Sequence, residues 1–128
     1  MIIPNGMAAE SIIQKLSMDF AIRIVKFYKF LTFEKKVYII SKQLLRSGTS
    51  IGANISEAAY AQSRADFINK MQIALKEASE TCFWIALLYN SDIIDQKTYE
   101  SLDKDIRQIL GTLVKIVNST RKQREITF

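Results

Sequence analysis

At 128 residues, with 48% hydrophobic side chains, four glycines and one proline, the chain is long enough to bury one core and too apolar to stay disordered. It has no histidine and one cysteine, which excludes an intrachain disulfide, Ser-His and Cys-His nucleophile pairs, ribonuclease chemistry resting on an Arg–His motif, and a Cys/His metal cluster. The formal charge of +5 sits in the first third: residues 1–46 hold eight basic and three acidic side chains, and residues 47–128 hold ten of each.

The first ten residues read as a loose leader. They lack the basic start and long apolar stretch of a signal peptide, so the expected location is the cytoplasm. Ser11-Ile12-Ile13-Gln14 has the form of a capping box, and the first helix is expected to consolidate near Ser17 and run to Leu31. Its stripe, Phe20, Ile24, Phe27 and Leu31, is spaced 4, 3 and 4. This is also the longest apolar stretch, and Arg23, Lys26 and Lys29 interrupt it, so it is no membrane span.

Thr32 reads as the N-cap of a second helix continuing to about Ala59, with Val37, Ile40, Leu44, Ile51, Ile55 and Ala58 inward. Gly48 and Gly52 lie within it. A helix interior keeps glycine, at about 1 kcal/mol relative to alanine, most readily where another backbone comes close. Tight packing is therefore expected around Ser47, Gly48 and Gly52.

Ser63 is the expected cap of a third helix, with Asp66 in its first turn and a seven-residue stripe from Phe67 through Met71, Ala74, Ala78, Thr81 and Ile85 to Leu88. Asn90-Ser91-Asp92 ends it. Asp95 caps a fourth helix carrying Leu102, Ile106, Ile109, Leu113, Ile116 and Val117, and the basic segment 121–128 is expected to fray. Four such helices on short links predict one all-α domain over residues 1–128, an antiparallel up-down-up-down, left-handed four-helix bundle.

Two sets of residues stand out from the apolar pattern. On the second helix Gln43, Arg46, Ser50, Asn54 and Glu57 share a polar face. Lys76, Glu77 and Glu80, followed by Trp84, make a comparable row on the third. Facing rows would pair Arg46 with Glu77 or Glu80 and let Asn54 bond across, a network that fixes register more than it stabilises. The other set is basic: Lys15, Arg23, Lys26 and Lys29 on the first helix, Lys35, Lys36 and Lys42 after it, and Arg121, Lys122 and Arg124 at the end. Such a surface would neutralise phosphates without reading bases, while an ordinary solvated lysine face explains it equally simply. Cys82, in an apolar row with no histidine to activate it, reads as a packed thiol. Phe83, Trp84 and Tyr89, spread along one helix, read as core or interface and not as a base-stacking platform.

The stretch from Gln43-Leu44-Leu45-Arg46-Ser47 through Ser50-Ile51-Gly52-Ala53-Asn54-Ile55-Ser56-Glu57-Ala58 resembles the signature of the bacterial four-helix bundle proteins encoded by intervening sequences in 23S ribosomal RNA genes, the S23-type family. Phe20-Ala21, Asp66-Phe67-Ile68 and Lys76-Glu77-Ala78-Ser79-Glu80-Thr81 with Trp84 extend the match over about residues 17–120. Ala58 stands where many relatives have glycine. The resemblance implies an up-down bundle assembling into a homopentamer with a central channel. It also implies kinship to the accessory variability proteins of diversity-generating retroelements, whose basic pentamers bind nucleic acid and a reverse transcriptase. It makes Arg46, Ser50, Asn54, Glu57, Glu77 and Glu80 signature residues, structural or at an interface.

The expectation is therefore a non-enzymatic homo-oligomer, without cofactor or metal, that binds RNA or DNA nonspecifically. The alternative is a protein-interaction scaffold with no nucleic-acid role. A catalytic carboxylate pair would require a polar pocket around Arg46, Glu77 and Glu80.

Overall fold

The 4-3 apolar rhythm becomes four α-helices in the computed structural model, which describes residues 4–126 and the side chains of residues 9–121. They are α1 (Pro4–Lys29), α2 (Ile39–Ala58), α3 (Arg64–Asn90) and α4 (Gln96–Ile126); a π-helical turn, Phe30–Glu34, closes α1. There is no strand among the described residues. The expected stripes supply the core. Phe20, Ile24 and Leu31 meet Leu44, Ile51 and Ile55 from α2, Met71, Ala78, Ile85 and Leu88 from α3, and Leu102, Ile106, Ile109 and Leu113 from α4. Burying each of the large aliphatic side chains contributes roughly 1.5–3 kcal/mol.

Helix order and direction follow from cross-helix contacts. A Cβ built on Gly48 would lie 3.0 Å from Ile24, and one on Gly52 would lie 3.4 Å from the Ser17 carbonyl, so α1 and α2 run antiparallel and nearly touch. Ser47 is fully buried beside them, as the sequence reading expects. Arg46 reaches Glu77 and Glu80 while Glu57 meets Lys70, which sets α2 against α3 in the opposite sense. Tyr89 stacks on Tyr99 with centroids 4.5 Å apart, joining the top of α3 to the start of α4. Each helix packs on its two ring neighbours, α4 closing on α1. The α1–α2 and α3–α4 links thus share one end of the bundle.

Two caps form as expected. Ser63 Oγ accepts the Asp66 backbone N–H at 3.0 Å, and Asp95 Oδ1 accepts that of Thr98 at 2.8 Å. Four boundaries differ from expectation. The leader residues from Pro4 onward are helical, since proline in a first turn forfeits no bond and the fully buried Ile13 anchors the helix well before Ser17. Ser11 is accordingly inside α1 and caps nothing. Thr32 does not cap α2 either. It lies in the π-turn, with its hydroxyl 3.4 Å from that of Ser41, and α2 begins at Ile39. The helical run ends at Glu34, Lys36 follows with a left-handed φ of 57°, and the Val37 N–H closes back on the Leu31 carbonyl at 2.8 Å in a Schellman-like turn. Finally, α4 continues through residues 121–126, where the chain is rich in helix-favouring side chains and free of glycine and proline.

Candidate nucleic-acid interface

The structure divides the expected basic surface. Arg23 is committed to α4: Nη1 donates to Asp105 Oδ2 at 2.6 Å and to the Ser101 carbonyl at 3.2 Å, and Nη2 donates to Ser101 Oγ at 2.7 Å. Lys15 pairs with Asp19 one turn along its own helix at 2.8 Å. Arg121 lies at the opposite end of the bundle, roughly 36 Å along α4 from Lys97 at 1.5 Å per residue. The side chains of Lys122 and Arg124 lie outside the described residues.

What remains is one end. Lys26 and Lys29 in the last turns of α1, Lys35 and Lys36 in the link and Lys42 in the first turn of α2 are all exposed. None stands within ion-pair distance of a carboxylate among the described residues. Glu34 is the sole acid between Phe20 and Arg46, and the α3–α4 link brings Asp92, Asp95 and Lys97 to the same end. Asp95 is occupied: the backbone N–H of Thr98 holds its carboxyl below the usual carboxylate range.

Aromatic side chains surround these lysines, and the sequence reading does not single them out. Phe33 is 70% exposed, Tyr38 53% and Ile39 79%. Phe30 lies stacked beside Phe27 with centroids 6.1 Å apart, and the Lys35 ammonium stands 5.8 Å from its ring centre. A helix running unbroken from Thr32 would have turned part of this set inward. The signal was present in two apolar runs, Phe30 to Phe33 and Val37 to Ile40, flanking Lys35-Lys36, because no single helix face can bury both.

The polar rows do meet. Arg46 donates to Glu77 Oε2 at 2.9 Å and to Glu80 Oε2, and the Trp84 indole N–H donates to the same Glu80 oxygen at 2.9 Å. Together Trp84 and Arg46 hold the Glu80 carboxyl below its ordinary pKa, and Glu80 raises that of Arg46. Glu57 accepts from Lys70 at 3.0 Å, about three turns further along α2 from Arg46. Asn54 does not bond across to α3. Its Nδ2 donates to the Ser50 carbonyl at 2.8 Å on its own helix, and Ser50 Oγ donates to the Arg46 carbonyl at 2.6 Å, because α-helical spacing offers each a carbonyl four residues back. The arrangement cross-braces α2 and α3 with neutralised charges. It presents no carboxylate of raised pKa. Lys76, on the same row of α3, is exposed and in no ion pair among the described residues.

Among the described residues no group of three His, Cys, Asp or Glu side chains stands close enough to hold a metal ion. Cys82 is half-buried, and burial pushes its thiol pKa up. No helix of the described residues is long and apolar enough to cross a membrane.

On the flank, α1 and α2 leave an open groove of about 550 Å³, lined by Met18, Ala21, Thr49, Ala53 and Tyr60 among others, with no charged residue on its walls. Met18 and Tyr60 are exposed there, and Ile22 and Val25 continue the apolar strip along α1.

A family model described as 23S rRNA-intervening sequence protein matches residues 9–115. A solved structure of a protein of unknown function from the S23 ribosomal protein family of Bacteroides thetaiotaomicron is 52% identical, covers 86% of this chain and 98% of its own, and superposes with a TM-score of 0.85. No curated protein matches the chain.

Proposed function

The chain belongs to the 23S rRNA-intervening sequence protein family, and from that premise we propose that it is a non-enzymatic, cytoplasmic accessory protein that holds RNA or DNA by its phosphates. One observation carries this reading: Lys26, Lys29, Lys35, Lys36 and Lys42 stand exposed at one end of the bundle without ion-pair partners among the described residues. Charges held this way release the counterions of a polyanion, so affinity falls steeply with salt and depends little on sequence. Fluorescence anisotropy with labelled RNA and DNA across a salt series tests it. Tight binding at low salt that fades as salt rises is expected. Absence of binding at 50 mM salt, or binding indifferent to salt, overturns it.

Homo-oligomerisation, as a pentamer, is the second part of the proposal. The uncharged α1–α2 groove supports it, since an exposed strip of this kind gains by being covered. A head-to-tail contact between bundles closes as a ring where its rotation allows. Light scattering on the purified protein gives the stoichiometry directly, and a monomer at micromolar concentration removes this part. The same groove is what favours the scaffold reading, in which a protein partner occupies it. Retention of a protein partner after nuclease treatment, together with no RNA binding, would select that reading.

A further inference from the structure

We infer that the α1–α2 corner, residues 29–42, binds single-stranded nucleic acid, with bases stacking on Phe33 and Tyr38 and phosphates held by Lys29, Lys35, Lys36 and Lys42. The inference rests on the proposed phosphate binding and adds what the lysines alone do not specify, the form of the polymer.

Three features converge. Phe33 and Tyr38 face solvent, and neither stacks on another ring among the described residues. They sit on either side of Lys35-Lys36, so each flat ring has a cation two residues away along the chain and a second three away. The platform is also held in place. The Lys35 N–H donates to the Phe30 carbonyl at 3.2 Å, the Val37 N–H to the Leu31 carbonyl at 2.8 Å, and Leu31 beneath is fully buried. Two rings flanking a pair of cations on a fixed backbone suit an unpaired strand, whose bases can leave one another to stack on protein. A duplex keeps its bases inside and would meet only the lysines. A membrane surface would call for a continuous apolar wedge, whereas Glu34, Lys35 and Lys36 interrupt the apolar residues here. The assembly groove lies lower on the flank, around Met18 and Tyr60, so oligomerisation through it leaves this corner open.

The experiment compares a labelled 20-mer single-stranded RNA with a duplex RNA of equal length, at low salt, for the full chain and three exposed-site variants. The wild type is expected to prefer the single strand. Phe33→Ala with Tyr38→Ala should weaken single-strand binding by about tenfold or more and leave duplex binding and the salt slope unchanged. Lys35→Gln with Lys36→Gln should weaken both. Phe33→Trp should retain affinity and show quenched tryptophan emission on adding the single strand, a signature of direct stacking. If the aromatic variant binds like the wild type while the lysine variant does not, phosphate binding stands and this inference falls. Failure of every form to bind removes both. Binding to anionic phosphatidylserine vesicles that depends on Phe33, without RNA binding, assigns the corner to a membrane surface and overturns the inference.

Discussion

The Thr81 hydroxyl donates to Ser47 Oγ at 2.9 Å in the middle of the α2–α3 interface, with both side chains fully buried. The same Thr81 oxygen lies 2.8 Å from the Glu77 carbonyl, whereas the only other partner of Ser47 among the described residues is the Leu44 carbonyl at 3.5 Å. Ser47 therefore depends on Thr81 for a well-placed partner, while the Thr81 hydroxyl, with one proton to donate, has the Glu77 carbonyl as an alternative acceptor. Thr81→Val, which swaps the hydroxyl for a methyl of similar size, should strand Ser47 and cost about 1–2 kcal/mol in chemical denaturation. Adding Ser47→Ala should recover much of that loss, since removing both partners leaves no buried polar atom unmet. Additive losses in the double variant would show that the two hydroxyls do not act as a pair.

The helical glycines should respond in opposite directions to alanine. Gly111 has nothing within 4 Å of a built Cβ, so Gly111→Ala gains helix propensity and should raise stability by about 0.5–1 kcal/mol. At Gly48 the same atom lies 3.0 Å from two carbons of Ile24, and overpacking of about 1–3 kcal/mol outweighs the propensity gain. Gly48→Ala should therefore lower the thermal midpoint. Its cost should shrink in an Ile24→Ala background, where the clashing carbons are gone. Equal shifts for Gly48→Ala and Gly111→Ala would contradict the close approach of α1 and α2.

The bundle was legible because each helix advertises one buried stripe: Leu44, Ile51 and Ile55 repeat as an α-helix requires, and Gly48 and Gly52 announce close approach. Ser63 and Asp95 marked two helix starts by chemistry that acts within a single turn. The α1–α2 corner was not legible, because Thr32 has the residue type of a cap while the boundary is set by a left-handed lysine that no propensity selects. The site suffered for the same reason. A charge count finds Arg23 and Lys29 alike, and only the placement of Asp105 and Ser101 on α4 shows that Arg23 is already occupied. Asn54 failed similarly: a nearby carbonyl on its own helix outcompetes a partner across the interface.

Lys36 offers a stability gain at that corner. Its φ of 57° disfavours any residue with a Cβ, by about 1–2 kcal/mol, and glycine carries no such penalty. Lys36→Gly should raise the thermal midpoint by a few degrees, on the order of 1 kcal/mol for a chain of this size. An unchanged or lower midpoint would mean that the lysine side chain contributes more than its backbone costs.

Acid sensitivity should trace in part to Glu80. Its folded pKa is held below the ordinary 4.5, first by the Trp84 indole N–H and then by Arg46, so its contribution is complete above that value. As pH falls below about 4.5 the unfolded chain takes up a proton that the folded chain resists, and stability is lost. Asp95 is lowered in the same sense by the Thr98 N–H, so both groups contribute in one window. Trp84→Phe removes the leading cause at Glu80 and should flatten the decline of denaturation midpoint between pH 5 and pH 3, as measured by urea titration. Asp95→Asn keeps a capping oxygen and isolates the second group. A decline unaltered by Trp84→Phe would relieve Glu80 of any part in acid sensitivity.

Arg23 and the corner lysines should separate stability from binding. Arg23 ties α1 to α4 through Asp105 and Ser101 while remaining about a third exposed, so Arg23→Gln should lower the denaturation midpoint modestly. Its guanidinium is neutralised in place, and its loss should leave the affinity for RNA within about twofold. Lys29→Gln and Lys42→Gln stand the other way. Each removes a cation with no intramolecular partner among the described residues, so stability should hold within about 0.5 kcal/mol. Each should reduce the slope of log affinity against log salt by about 0.7–0.9 for every phosphate that the protein no longer neutralises. Anisotropy titrations at several salt concentrations measure that slope, and thermal melts of the same preparations measure the first effect. Were Arg23→Gln to change the slope as much as Lys42→Gln, the ion pair with Asp105 would be open in solution and the basic surface would extend down α1.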